Sequence, residues 1–223
     1  MHDLQKHILK KLTLLGKARY RDLKPKSVEG NMFMYHLKKI ISSGYISKQT
    51  GAYVLSAKGK QYVDRVTLKS FDERIQPKIV TLLVLTNKKG EYLIYKRKRQ
   101  PLINQFGFPY GKIHLEERIQ ESAGRELKEK VGLTGVLKHR GDIYLHISDE
   151  EKLITHMLCH IFVGKNIVGK FIEDSSIGTC SWMSTNDMKQ RKLMPGVAQI
   201  IKLLSKSKNH FFAEYFLNTT EEY

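Results

Sequence analysis

Apolar residues near the start of the chain recur every three or four positions, at Leu4, Ile8, Leu12 and Leu15. This spacing places them on one face of an α-helix and predicts a first helix. A short second helix is predicted over Ala18–Leu23, because Pro25 disfavours a longer one. A third helix is predicted over Val28–Ser43, with Gly44 as its C-terminal stop.

A hairpin and a last helix complete this N-terminal pattern. Tyr45–Lys48 and Ala52–Leu55 alternate on either side of a Gln-Thr-Gly turn, which predicts two antiparallel strands. Ser56 is a favourable N-cap for a following helix. The periodicity weakens after this helix, so we expect a first domain over residues 1–70 and a linker over 71–77.

The remainder of the chain alternates between strand and helix patterns. Lys78–Thr86 is a nearly continuous apolar run that suits a buried strand, and Glu91–Arg99 is predicted as its partner strand. Further elements are predicted over 118–131 (helix), 136–148 and 153–163 (strands), a short strand ending near Trp182, and 195–205 (helix). We therefore expect an α/β domain over residues 78–208.

A C-terminal tail is expected over residues 209–223. It carries aromatic residues at helical spacing, namely Phe211, Phe212, Tyr215 and Phe216. Such a stripe is more typical of core packing or of a homodimer interface than of a ligand site.

Charge changes the picture of what the chain binds. The net charge is +17, and residues 1–75 hold 16 Lys and Arg against 6 Asp and Glu. This excess favours polyanionic partners, either nucleic acid or a phosphate-bearing small molecule. The alternative is a lysine-rich chain whose charges form solvated faces.

The compartment is predicted from what the sequence lacks. No apolar run is long enough to span a bilayer, and the charged N-terminus does not resemble a secretory signal. Only Cys159 and Cys180 occur, which favours free thiols in a reducing cytosol. We therefore expect a cytoplasmic protein with no membrane partner.

Residues 3–66 resemble a winged helix-turn-helix, a small α+β domain, in the order of their helices and hairpin. The resemblance implies that the third helix enters the major groove of double-stranded DNA. The residues implied to contact DNA are Tyr35, His36, Lys38, Lys39 and Lys48. The alternative is a domain that mediates dimerisation or protein contact only.

Residues 111–133 carry the most specific motif, GKIHLEERIQESAGRELKEKVGL. The segment resembles the Nudix box, G-x5-E-x7-R-E-U-x-E-E-x-G-U with U aliphatic. The matching residues are Gly111, Glu117, Arg125, Glu126, Leu127, Glu129, Gly132 and Leu133. Lys130 stands where the family has its last glutamate. The resemblance implies a Nudix α/β/α sandwich with a mixed sheet.

The chemistry of the family accounts for these residue types. Pyrophosphate cleavage is favoured by divalent cations that neutralise phosphate charge and acidify water. Carboxylates three or four residues apart on a helix share a face and suit such an ion. The resemblance implies Mg²⁺ or Mn²⁺ held by the Gly111 carbonyl, Glu126 and Glu129. It also implies that Arg125 orients Glu117, so that the catalytic set is Glu117, Arg125, Glu126 and Glu129.

Lys130 leaves two hypotheses open. Its ammonium is four residues from Glu126, so an ion pair is expected that weakens binding of a divalent ion. The chain is then either a Nudix hydrolase that cleaves a nucleoside diphosphate derivative, or a non-catalytic sensor of an ADP-ribose-like nucleotide that regulates transcription. The intact remainder of the box favours the hydrolase. The candidates for phosphate binding are Arg97, Arg99, Lys112 and Lys130.

Overall fold

The computed structural model describes residues 1–175 and 178–219 of the chain, without the side chains of residues 165 and 166. The chain forms two compact units, Met1–Gln76 and Pro77 onward. Within the described residues, no helix has the length and apolar character needed to cross a membrane. Cys159 and Cys180 are both free and buried, as the prediction of free thiols requires.

The N-terminal unit contains four helices and a small antiparallel sheet. Its elements are α1 (Asp3–Leu15), β1 (Lys17–Ala18), α2 (Tyr20–Leu23), α3 (Gly30–Ser42), β2 (Ile46–Gln49), β3 (Ala52–Leu55) and α4 (Ala57–Asp64), with the strand order β1-β3-β2. The predicted helices and hairpin are confirmed, and the Ser56 hydroxyl caps α4 by accepting from the Gly59 amide. Strand β1 was not predicted, because a strand of two residues is too short to show an alternating pattern of apolar and polar positions.

The second unit is built on two sheets. The strands are β4 (Lys78–Val84), β5 (Tyr92–Arg97), β6 (Phe106–Gly107), β7 (Tyr110–Lys112), β8 (Leu133–Asp149), β9 (Lys152–Gly169), β10 (Gly178–Met183) and β11 (Phe211–Asn218). The larger sheet has the order β11-β8-β9-β4-β7 and the smaller one β10-β5-β6. The larger sheet is mixed, since β4 runs parallel to β9 and β11 runs parallel to β8.

Helices cover both faces of the larger sheet. The helices of this unit are α5 (Ile119–Glu126), α6 (Thr185–Lys189) and α7 (Val197–Lys206), of which α5 and α7 cover the sheet. Thr81 of β4 meets Ser122 of α5, whereas the neighbouring Leu82 lines a cavity with Ile200 of α7. Successive strand residues point to opposite faces, so α5 and α7 lie on opposite sides of the sheet. The mixed α/β fold that the sequence predicted is confirmed.

The C-terminal aromatic segment is a strand, so the prediction of helical spacing is wrong. In β11, Phe211 and Leu217 are buried while Phe212 and Phe216 are exposed. Pairing with β8 over its whole length supplies the backbone hydrogen bonds that override the local pattern. The described part of the predicted tail therefore belongs to the larger sheet, and residues 220–223 lie outside the described residues.

Candidate functional site

The box begins at a glycine packed against a helical carboxylate. Gly111 lies in β7 and pairs with Thr81 of β4. A Cβ built at this glycine would overlap the carboxylate of Glu126, the last residue of α5. A side chain at position 111 and the buried carboxylate therefore cannot occupy this space together, which explains the glycine in physical terms.

Arg125 holds three carboxylates together. Its Nε and Nη2 donate to the two oxygens of Glu117 at 2.7 and 2.9 Å, a bidentate pair. Its Nη1 lies 2.6 Å from Glu126 Oε1 and 3.5 Å from Glu129 Oε2. The hydrogen bonds from Arg125 and from the His114 amide, which outweigh burial, lower the pKa of Glu117 to about 2. Glu117 is thus an ionised carboxylate whose orientation is fixed by the guanidinium.

Lys130 engages the other side of Glu126. Its Nζ lies 2.6 Å from Glu126 Oε2 and donates a hydrogen bond to the main-chain carbonyl of Tyr110. Glu126 is only 4% exposed, and its two oxygens face Arg125 on one side and Lys130 on the other. The ion pair expected from the sequence is present.

The helix changes its winding at this point. A single α-helix was predicted through residue 131, but the α-helical hydrogen bonding ends at Glu126 and a π-helical turn follows over Leu127–Val131. Gly132 then ends the segment in the left-handed conformation, with φ of 74°. Single π turns are frequent at functional sites. This one carries Glu129 and Lys130, two of the positions on which metal binding by the family pattern depends.

The cluster does not fit the divalent cation that the resemblance implies. Glu117, Glu126 and Glu129 carry three negative charges against the two positive charges of Arg125 and Lys130, whereas a glutamate at position 130 would leave a net charge of −3. A divalent ion on Glu126 would have to displace an ammonium already at 2.6 Å. Magnesium requires several free oxygen ligands in an octahedron. Among the predicted ligands, only Glu129 keeps a largely exposed carboxylate, at 62%.

A basic cavity of about 410 Å³ adjoins this cluster. Its cationic lining residues are Lys78, Arg97, Arg99, Lys112 and Lys130, and no acidic residue is among the described residues that line it. Burial lowers the pKa of Lys78, and repulsion from Lys112 and Arg97 lowers it further. The cavity therefore concentrates positive charge that no carboxylate of its lining balances.

Arg97 is a fixed part of the cavity wall. Its Nη1 donates to the hydroxyls of Tyr95 and Tyr110 at 3.1 and 3.0 Å, and its Nε donates to the Arg99 carbonyl at 2.9 Å. The next residue along, Lys98, instead forms an ion pair with Asp174. Arg97, at the end of β5, and Arg99 thus line the cavity, whereas Lys98 between them is paired elsewhere.

An apolar recess continues from the basic cavity. The two share Lys78, Arg97 and Tyr110, and the recess is otherwise lined mainly by apolar side chains, among them Leu82, Phe108, Leu145, Met157, Met194 and Ile200. The structure thus places Arg97, Arg99, Lys112 and Lys130 around one space. Sequence reasoning missed Lys78 and Tyr110, because both lie in strands of the larger sheet, which only tertiary packing brings beside Arg97 of the smaller sheet.

The residues expected to contact DNA lie in the N-terminal unit. Tyr35, Lys38 and Lys39 on α3 and Lys48 on β2 are exposed. His36 differs from the expectation, because its ring stacks on that of His2 with centroids 3.9 Å apart and is half-buried. Burial, together with His2 and Lys39, lowers the pKa of His36. Its neighbour His2 caps α1, so His36 is engaged within the unit.

The second unit has the features of a Nudix-fold domain. Its mixed sheet lies between helices, and the box glycine Gly111 packs against the helical Glu126. Arg125 pairs with both Glu126 and Glu117. Residues 76–204 match the sequence profile of the NUDIX domain, which is more than half of the chain. The chain belongs to the Nudix family.

Two curated relatives are both 24% identical to this chain. The ADP-ribose pyrophosphatase of Methanocaldococcus jannaschii aligns over 161 residues, 70% of this chain and 92% of that protein. The uncharacterized Nudix hydrolase YvcI of Bacillus subtilis aligns over 101 residues, 45% of this chain. The match spans 64% of the length of that hydrolase, less than two thirds.

Solved structures support the fold alone. The mutator MutT protein of Bacillus halodurans superposes with a TM-score of 0.52 at 21% identity, over 62% of this chain and 90% of that one. A Nudix hydrolase from Nitrosomonas europaea gives a TM-score of 0.51 at 19% identity, over 60% and 93%.

Proposed function

We propose that the Nudix domain is a sensor that binds a nucleoside diphosphate derivative of the ADP-ribose kind with little or no turnover. We further propose that residues 1–70 form a winged helix-turn-helix that binds double-stranded DNA, so that the chain acts as a ligand-responsive regulator. In this proposal residues 71–77 are a linker and 78–208 the ligand-binding domain.

The observation that carries the sensor is the pairing of Lys130 with Glu126. In the family pattern a carboxylate at position 130 would join Glu126 around a cation, whereas here an ammonium tethered to the chain occupies that role. The local charge is two units more positive than with glutamate, so divalent ions are bound less strongly. Metal-assisted cleavage is therefore disfavoured, whereas the basic cavity keeps its cationic lining residues.

The ligand class follows from the cavity. Cationic side chains in a partly enclosed site hold phosphate oxygens, and arginine does so with a bidentate geometry. Lys130 is paired with Glu126, and the other four cations of the lining can neutralise a diphosphate without a metal ion. The relative named ADP-ribose pyrophosphatase supports the same ligand class.

DNA binding is supported by the exposed face of α3. Tyr35, Lys38 and Lys39 are exposed, and the Lys39 ammonium lies 5.9 Å from the centroid of the Tyr35 ring. Lys48 lies on the hairpin, where the winged-helix resemblance implies contact with a phosphate. The excess of positive charge in residues 1–75 provides the sequence-independent part of the affinity.

A hydrolase remains the second candidate function, favoured by the bidentate pair of Arg125 and Glu117 and by the exposed Glu129. In that case turnover depends on Mg²⁺ or Mn²⁺, and Glu117, Arg125, Glu126 and Glu129 form the catalytic set. The basic cavity serves either function.

Binding and turnover are measured separately to test the proposal. ADP-ribose is titrated calorimetrically into the full-length protein in EDTA, and its hydrolysis is followed with Mg²⁺ or Mn²⁺. We expect binding in EDTA and no appreciable turnover. Arg99→Gln and Lys112→Gln should weaken binding, whereas Lys88→Gln, on an exposed turn that does not line the cavity, should not.

Three results would contradict the sensor. Metal-dependent turnover that Glu126→Gln abolishes would establish the hydrolase. Absence of binding in EDTA, or equal loss of affinity in the Lys88 control, would remove the assignment of the cavity to the ligand.

A further inference from the structure

A second cluster of metal-ligating side chains lies on β8 and β9 and just before β11. It consists of His139, Asp142, His160 and His210, and we call it the histidine cluster. His160 Nδ1 lies 2.6 Å and His139 Nε2 lies 2.8 Å from Asp142 Oδ1, and His210 Nε2 lies 3.4 Å from Asp142 Oδ2. None of these residues lines the basic cavity or belongs to the box.

An irregularity of β8 brings the first two residues together. In a regular strand, residues three apart point to opposite faces. The register of β8 against β9 shifts between His139 and Gly141, so His139 opposes Phe162 while Asp142 opposes His160. This β-bulge turns His139 to the face that carries Asp142. The cluster therefore depends on a specific backbone feature rather than on chance proximity of surface side chains.

Gly141 brings in the fourth residue. A Cβ at position 141 would overlap both the ring and the carbonyl oxygen of Phe211, the first residue of β11. The glycine thus allows β11 to begin close to β8. His210 immediately precedes this contact, and its ring reaches Asp142.

We propose that the histidine cluster is a binding site for a transition-metal ion of the Zn²⁺ class. Its four donors, three imidazole nitrogens and one carboxylate oxygen, match the number and kind that Zn²⁺ prefers in tetrahedral sites. The ligand atoms of His139, Asp142 and His160 already lie within 4.8 Å of one another. Zn²⁺ bond lengths near 2.0–2.2 Å require separations of roughly 3.3 Å between ligand atoms, so only small movements of these three side chains are needed. His210 is not within 4.8 Å of all three and would have to turn towards the ion as the fourth ligand.

The charge of the cluster suits a dication. Three neutral imidazoles and one carboxylate carry a net charge of −1. On binding, the proton on each cluster-facing nitrogen is released or moves to the other ring nitrogen. The bound ion would tie β8, β9 and the start of β11 together.

Binding of Co²⁺ and Zn²⁺ to the tag-free, full-length protein tests the proposal. We expect one Co²⁺ per chain with the intense visible absorption of tetrahedral coordination, and displacement of Co²⁺ by Zn²⁺. His160→Gln should weaken binding by at least the 10–100-fold typical of a lost outer-shell partner. The matched control is His146→Gln, because His146 lies on β8 with His139 and Asp142 but packs against His156 outside the cluster.

A second measurement guards against loss of folding in the variant. Zn²⁺ should raise the thermal midpoint of the wild type, whereas Asp142→Asn, whose side chain keeps the same shape, should show no such rise. The proposal is overturned if the wild type shows no tetrahedral spectrum, if His160→Gln leaves the affinity unchanged, or if His146→Gln lowers it equally. A dependence on His36→Gln alone would assign the ion to the stacked pair of His2 and His36 and would also overturn it.

Discussion

Replacement of Lys130 by glutamate should create a divalent-cation site where the wild type has none of comparable strength. The substitution removes one positive charge and adds one negative charge beside Glu126, so the net charge of the cluster falls from −1 to −3. At about 4 Å in a water-like dielectric, each pair of unit charges interacts by about 1 kcal/mol. For a dication and a change of two charges, this gives about 4 kcal/mol.

An energy of about 4 kcal/mol corresponds to nearly a thousandfold in affinity, since about 1.4 kcal/mol is tenfold. Desolvation of the new carboxylate and repacking around it oppose binding, so we expect Mn²⁺ to bind Lys130→Glu at least about 100-fold more tightly. Electron paramagnetic resonance of free Mn²⁺ during a titration measures this affinity directly. The wild type, Lys130→Glu and the double variant with Glu126→Gln are compared at the same ionic strength.

Lys128→Glu provides a matched control, because it makes the same change of charge in the same π-helical turn on an exposed side chain. A screened, distant charge should alter the affinity only slightly. The reasoning is refuted if Lys128→Glu and Lys130→Glu bind Mn²⁺ equally. It is also refuted if the wild type already binds as tightly as Lys130→Glu.

Three other predictions concern packing, acid stability and DNA. Gly111→Ala should lower the free energy of unfolding, measured in urea, by about 1–3 kcal/mol, because the added methyl group overlaps the Glu126 carboxylate. Gly124→Ala is the control and should be neutral or stabilising, because a methyl group on this helical residue would have no atom within 4 Å. The pKa of Glu117 is lowered to about 2, so its ionised side chain stabilises the fold above the ordinary glutamate pKa, and this stabilisation is lost as the pH falls from about 5 towards 2. Glu117→Gln should therefore flatten the acid limb of a plot of unfolding free energy against pH. An unchanged limb would contradict this. Lys39→Gln should weaken binding of duplex DNA and reduce the slope of log affinity against log salt by about 0.9 in fluorescence anisotropy, whereas Lys89→Gln should leave both unchanged.

The sequence predicted those parts of the structure that depend on local pattern. The box identified the Nudix fold, and the four-residue spacing of Glu126 and Lys130 was enough to predict their ion pair. Ser56 and its following helix were predicted from capping alone. In each case the interacting groups are close along the chain, so spacing determines geometry.

The features that escaped prediction depend on pairing between distant strands. Strand β11 follows β8 in the sheet, although nothing in its own spacing favours a strand over a helix. Lys78 joins the basic cavity because β4 lies beside β7. The histidine cluster requires the bulge before Gly141, which a one-residue shift in register produces and which composition does not reveal. The π-helical turn after Glu126 also escaped prediction, because the apolar residues of this segment have the spacing of an ordinary α-helix in the sequence.

The tethered ammonium of Lys130 also has a genetic consequence. Each lysine codon becomes a glutamate codon by one transition at its first base. Both glycines, the arginine and three of the four glutamates that the box pattern requires are already in place. A single nucleotide substitution therefore separates the present cluster from a complete Nudix box. Alleles that encode lysine or glutamate at position 130 would share the same fold and differ only in the charge beside Glu126.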